Sequence, residues 1–107
     1  MSDSAQLDRL FHALSDTTRR AIIERLMQGP APVKELAEPH SMALPSILKH
    51  LRVLEAGGIV LSKKAGRVRT FQIDPTALSR VEKWVADRKR LWNSRFDRLE
   101  QFLEGKS

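Results

Sequence analysis

At Gly57-Gly58 the apolar pattern of the chain changes period, and that change limits the folds open to it. Before the glycines, Leu44, Ile47, Leu51 and Leu54 recur at three and four residues, which places them within about a third of a helix circumference at about 100° per residue. After them, "IVLSKK" and "RVRTFQI" are β-rich runs, and Val68 with Thr70 alternates against Arg67, Arg69 and Phe71. Glycine supplies the left-handed stop of a helix, and Ala65-Gly66 between the two runs marks a hairpin turn. The stretch reads as a helix that feeds directly into a basic hairpin.

The flanking segments are helical. Leu7, Leu10, Phe11 and Leu14 give a first short amphipathic helix. "SDTTRRAIIERLMQGP" restarts the pattern: Ser15 or Asp16 caps the orphan amides, Ile22, Ile23, Leu26 and Met27 form the apolar stripe, and Gly29-Pro30 stops it. "APVKELAEPH" carries Val33, Leu36 and Ala37 on a helix of two turns at most, halted by Pro39. Asp74-Pro75 opens a last segment whose apolar positions keep helical spacing for nearly thirty residues. The expected fold is mainly α with a small β-hairpin, in the order α-α-α-α-β-β-α. One domain is expected over 1–107, with a helix-turn-helix at about 32–56, a wing at about 59–73 and a C-terminal helix at about 75–104.

Composition narrows the partners. The 107 residues carry 19 Lys+Arg against 13 Asp+Glu, a formal net charge of +6 that attracts polyanions such as nucleic acid or an anionic membrane surface. No run approaches the roughly 20 apolar residues of a membrane span, and "MSDSAQLDRLF" lacks the basic and apolar regions of a signal peptide, so a cytoplasmic protein is expected. The chain has no Cys, which excludes disulfides, thiolate metal sites and cysteine nucleophiles. There is no glycine-rich phosphate loop and no paired nucleophile and base, so an enzyme is not expected.

Two longer motifs carry a resemblance. "FHALSDTTRRAIIERLMQGPAPVKELAE" followed by "LPSILKHLRVLEAGGIVLSKKAGRVRTFQID" resembles the ArsR family of bacterial winged-helix repressors, over roughly Leu7 to Leu103. The most specific pieces are "ALSDTTRRAII", similar to A-L-[SA]-D-P-T-R-R-x-I-L, and "KHLRVLEAGGIV", similar to K-H-L-x-x-L-x-x-A-G-L-V, with "GR" behind them in the wing. Thr17 stands where the family usually has proline, and Leu48 where serine is common. Ala43 stands where the recognition helix usually has a Ser or Thr cap, a loss of roughly 1 kcal/mol. The resemblance implies a homodimeric DNA-binding transcriptional regulator, a repressor on an inverted-repeat operator, with a two-fold interface between first and last helices.

Physical chemistry then assigns the residues. In the major groove, sequence is read by side-chain donors and acceptors near the N-terminal half of a helix, while basic groups on neighbouring elements bind phosphates. Ser46, Lys49 and Arg52 project opposite Leu51, His50 lies at the edge, and Pro45 sits early in the helix where it could pack on a thymine methyl. Lys63, Lys64, Arg67 and Arg69 make the wing candidate. Thr18 and Arg19 begin the second helix, where a phosphate could meet them, while Arg20 could equally pair with Glu24. The last helix stays rich in large apolar side chains to its end, so Trp92, Phe96, Leu99, Phe102 and Leu103, with Leu7, Leu10, Phe11 and Leu14, are the expected dimer interface. The same basic face on an acidic protein partner is the alternative.

Metal sensing is the best-known activity of the family that the sequence resembles, and the ligands it requires are missing here. "VKELAEPH" has no Cys and the last helix has no His, while His12, His40 and His50 are scattered. No metal and no cofactor are expected, and the inducing ligand is left open. Zinc, cadmium or arsenite at modest excess should therefore leave DNA affinity unchanged in a titration. Specific release of DNA by any of the three would place a metal-ligand set that these residue types do not provide.

Overall fold

In a computed structural model, residues 3–105 are described, and the helices account for most of them. α1 (Asp3–Leu14) and α2 (Thr17–Leu26) are followed by a two-residue strand β1 (Ala31–Pro32) and the short α3 (Val33–Ala37). Then come α4 (Leu44–Ala56), β2 (Val60–Ala65), β3 (Val68–Ile73) and the long α5 (Pro75–Glu104). The chain divides into two compact units, one ending at Ala77 and the other beginning at Leu78. Among the described residues no helix is long and apolar enough to cross a membrane.

The first unit is built around α4. Its Ile47, Leu51 and Leu54 are buried, together with Leu10 and Ala13 of α1, Ile22, Ile23 and Leu26 of α2, Leu36 of α3 and Phe71 of β3. Two residues expected in apolar stripes lie outside this core: Leu44 is 48% exposed and Met27 60% exposed. Each is the terminal apolar position of its stripe, at the first residue of α4 and just past the end of α2.

Helix ends follow local chemistry. Asp16 caps α2, its carboxylate accepting the Arg19 backbone N–H at 3.0 Å, while Ser15 donates its hydroxyl to the His12 carbonyl at 2.6 Å. That backbone N–H lowers the Asp16 pKa from the ordinary 3.8; burial opposes the shift, and the charge of Arg19 adds to it. Ala43 offers no side-chain cap to α4, and Pro45 in the first turn has no N–H to leave unpaired. Gly58 has φ +74°, the left-handed stop expected from sequence. Gly57 has a different reason: a Cβ there would lie 3.0 Å from the Arg9 carbonyl oxygen and 3.1 Å from the Ala13 Cβ, so only glycine lets α1 lie this close to α4.

The sheet is antiparallel in the order β1-β3-β2. β1 pairs Ala31 with Phe71 and Pro32 with Thr70, a third strand too short to leave any alternation in the sequence. The hairpin turn is one residue further on than the composition suggests. Ala65 still pairs with Val68, so the loop is Gly66-Arg67, with Gly66 at φ +62° in the first loop position, as a type II′ turn requires. In the second unit, Leu78, Val81, Val85, Trp92, Phe96, Leu99 and Leu103 fall within about 60° of arc on α5. Lys83 and Arg90 both pair with Asp87, and the Arg88 guanidinium lies 4.4 Å over the Trp84 ring.

Gly57→Ala should cost about 1–3 kcal/mol in denaturant unfolding, because the added methyl overpacks the α1–α4 contact. Asp16→Ala should cost about 1 kcal/mol near neutrality. Since the folded-state pKa is depressed, the charged cap contributes fully above the ordinary carboxylate value, and its share is lost as pH falls through the lower folded value. The gap between Asp16→Ala and wild type should therefore narrow in acid. An unchanged gap would assign the cost to the hydrogen bond alone.

Candidate nucleic-acid interface

The site grows from the amphipathicity of α4. Burial of Ile47, Leu51 and Leu54 against the other helices forces Ser46, Lys49 and Arg52 outward, and all three are exposed, as is Pro45. Leu48 is half-buried at the border between the faces. Ser46, Lys49, His50, Arg52 and Val53, with Arg19 from α2, line one open depression of about 450 Å³. Four of the five recognition-helix residues expected from sequence therefore share one surface.

Arg19 is in that surface for a reason the sequence does not display. Its position in the chain suggests a phosphate contact, but it is 92% buried, its residual exposure being 8%. Nε donates to the Ala13 carbonyl at 2.8 Å and one terminal nitrogen donates to the His12 carbonyl at 3.0 Å, so the guanidinium satisfies the orphan carbonyls at the end of α1. The other terminal nitrogen lies 3.1 Å from His50 Nδ1. Arg20 behaves similarly, donating to the Leu14 carbonyl at 2.6 Å rather than to Glu24. Positive charge at the start of α2, unfavourable for that helix, is thus favourable for the C-terminus of the preceding one. Thr18 is half-buried beside it.

The hairpin carries the second cationic group. Lys63, Lys64, Arg67 and Arg69 are all exposed. Lys64 is the direct cross-strand partner of Arg69, whereas Lys63 faces Thr70 on the opposite side and Arg67 occupies the loop. Like charges directly across a strand pair destabilise it, by roughly 0.2–1 kcal/mol, so this arrangement works against the hairpin. Arg69 is held in place from below: it donates to the Ser62 hydroxyl at 2.7 Å, and Ser62 donates to the Glu55 carboxylate at 3.0 Å. This chain ties the wing to the end of α4. Neither Ser62 nor Glu55 stands out in the sequence, because the register that brings them together belongs to the hairpin and its packing.

The interface residues expected on α1 divide. Leu7, Phe11 and Leu14 are half-buried, but Leu10 is 1% exposed and belongs to the core of its own unit, packed where α1 meets α4. It has no surface to offer a second copy. On α5, Trp92, Phe96, Leu99, Phe102 and Leu103 are each more than half exposed.

Known proteins share this design. Residues 14–62 match the helix-turn-helix domain family. The chain is 38% identical to the HTH-type transcriptional regulator Rv2034 of Mycobacterium tuberculosis over 104 residues, 97% of this chain and 94% of the relative. It superposes on the crystal structure of an ArsR family transcriptional regulator with a TM-score of 0.83 and 47% identity, covering 87% of this chain and 96% of that one. A homodimeric winged helix-turn-helix DNA-binding domain from Mycobacterium bovis, known from its solution structure, is 27% identical with a TM-score of 0.66, over 83% of this chain and 90% of that one. With its helix-turn-helix, its basic wing and these relatives, the chain belongs to the ArsR family of winged helix-turn-helix DNA-binding transcriptional regulators.

Proposed function

We propose that two copies of this chain bind an inverted-repeat operator and repress transcription by occluding the promoter. The observation that carries this reading is the division of α4 into a buried apolar face and an exposed face with Ser46, Lys49 and Arg52, continued by the cationic hairpin. Base edges would meet Pro45, Ser46, Lys49 and His50, while Arg52, Lys63, Lys64, Arg67 and Arg69 would hold phosphate or enter the minor groove. Thr18 at the start of α2 is a further phosphate contact. A dimer lying on promoter DNA excludes other proteins from the same stretch, so repression needs no additional contact.

Dimerisation is supported by α5, whose large apolar side chains Trp92, Phe96, Leu99, Phe102 and Leu103 are exposed together, as at an interaction surface. Leu7, Phe11 and Leu14 of α1 complete the proposed interface. Two-fold symmetry would then place the recognition helices in successive major grooves, about 34–36 Å apart.

Two measurements test this. Sedimentation at micromolar concentration should show a dimer, and Trp92→Asp or Leu99→Asp should dissociate it or unfold it; a stable wild-type monomer would overturn the symmetry. The operator, selected from a random duplex pool, is then titrated at several salt concentrations against alanine variants. Lys49→Ala should cost roughly 1–3 kcal/mol per base contact and relax preference at a defined base pair. Arg67→Ala and Arg69→Ala should weaken all duplexes alike and reduce the salt slope by about one for each phosphate that is no longer neutralised. If no variant alters DNA binding, the basic face serves an acidic protein instead.

A further inference from the structure

His50 lies on the DNA-facing helix, yet one of its ring nitrogens is committed inside the protein. Arg19 Nη1 lies 3.1 Å from His50 Nδ1. An arginine has five N–H donors, no acceptor, and does not lose its proton in proteins. The contact is a hydrogen bond only if Nδ1 is the acceptor, which requires a neutral ring with its proton on Nε2. Asp16, whose Oδ2 lies 3.7 Å from Nδ1, would favour a proton on Nδ1 instead, but it is too far for a hydrogen bond and its Oδ2 already accepts the Arg19 backbone N–H. Lys49 and Arg52 of the same helix line the same depression as His50, and both are cations.

Arg19 is itself held firmly. Nε and Nη2 are bonded to the Ala13 and His12 carbonyls, the residue is 92% buried, its residual exposure being 8%, and it has no freedom to swing away from His50. We infer that Arg19 is a positioning residue for DNA recognition, which fixes His50 as an Nε2–H donor and so restricts the base edge it reads to a hydrogen-bond acceptor. In the major groove the acceptors are purine N7, guanine O6 and thymine O4; the cytosine amino group is a donor and would be refused. This rests on the DNA-binding reading above. It adds a residue that touches no DNA and a rule for the bases accepted opposite His50.

The test begins with the free protein. Nitrogen-15 spectra of the imidazoles, with His50 assigned through His50→Gln, should show a single Nε2–H form at about pH 8, where a free imidazole is neutral but samples both tautomers. Arg19→Lys, which keeps the charge but loses the fork that spans three acceptors, should introduce the Nδ1–H form. On the selected operator, the base pair whose preference relaxes in His50→Leu should present a purine N7, O6 or O4 at that position. Where it is a purine, 7-deaza substitution should cost wild type about tenfold in affinity and His50→Leu little. His50→Gln, whose carbonyl can accept from Arg19 while its amide donates outward, should retain the 7-deaza penalty that His50→Leu loses. An Nδ1–H ring in wild type, or an equal 7-deaza penalty in wild type and Arg19→Lys, overturns the inference. If Arg19→Lys fails to fold, the wild-type tautomer and the contrast between His50→Gln and His50→Leu still decide it. Failure of wild type to select any duplex overturns the DNA-binding reading itself, which a normal operator with the wrong tautomer would leave intact.

Discussion

The guanidinium of Arg19 joins three elements of the first unit through polar contacts. It closes the carbonyl end of α1, belongs to α2, and reaches the side chain of His50 on α4. Hydrogen bonds to a charged group contribute about 1.5–3 kcal/mol each, and leaving such a charge buried without partners costs more than forming the bonds supplies. Arg19 therefore acts as a positional constraint more than as a source of stability: the orientation of α4 relative to α1 and α2 must be one that keeps all its donors satisfied. No buried side-chain nitrogen or oxygen among the described residues lacks a partner.

Gly57 works on the same junction by steric means. Its missing Cβ allows the end of α4 to approach the backbone of α1 at Arg9 and Leu10, and Gly58 then turns the chain into β2. The hairpin is referred to the same helix by the hydrogen-bond chain from Arg69 through Ser62 to Glu55. Recognition helix and wing are in this way tied to one another by polar bonds whose directions are fixed, as well as by the non-directional burial of Phe71 and Val60.

The cationic surface includes one arrangement that works against stability. Lys64 opposite Arg69 is an unfavourable pair within the free hairpin, and the cations of α4 and the wing lie on the same unit with few acidic partners. A polyanion reverses the sign of these interactions. The exposed stripe of α5 has the same character in apolar terms: it is costly in water and favourable against another apolar surface.

Much of this was legible in the residues alone. Helical spacing around Ile47, Leu51 and Leu54, the stop at Gly58, the hairpin and the long α5 follow from local steric rules and from which side chains avoid water, and both are carried by sequence neighbours. The outward face of Ser46, Lys49 and Arg52 follows from the same periodicity. What the tertiary structure decided is which polar groups meet across elements. Arg19 reads as a surface cation until the end of α1 is brought above it, Leu10 reads as an interface residue until α4 covers it, and β1 exists only because β3 has an edge to pair with. Periodicity records the average environment of a face, whereas a hydrogen-bond partner several elements away leaves no trace in the order of residues, because its position is fixed by packing and not by spacing.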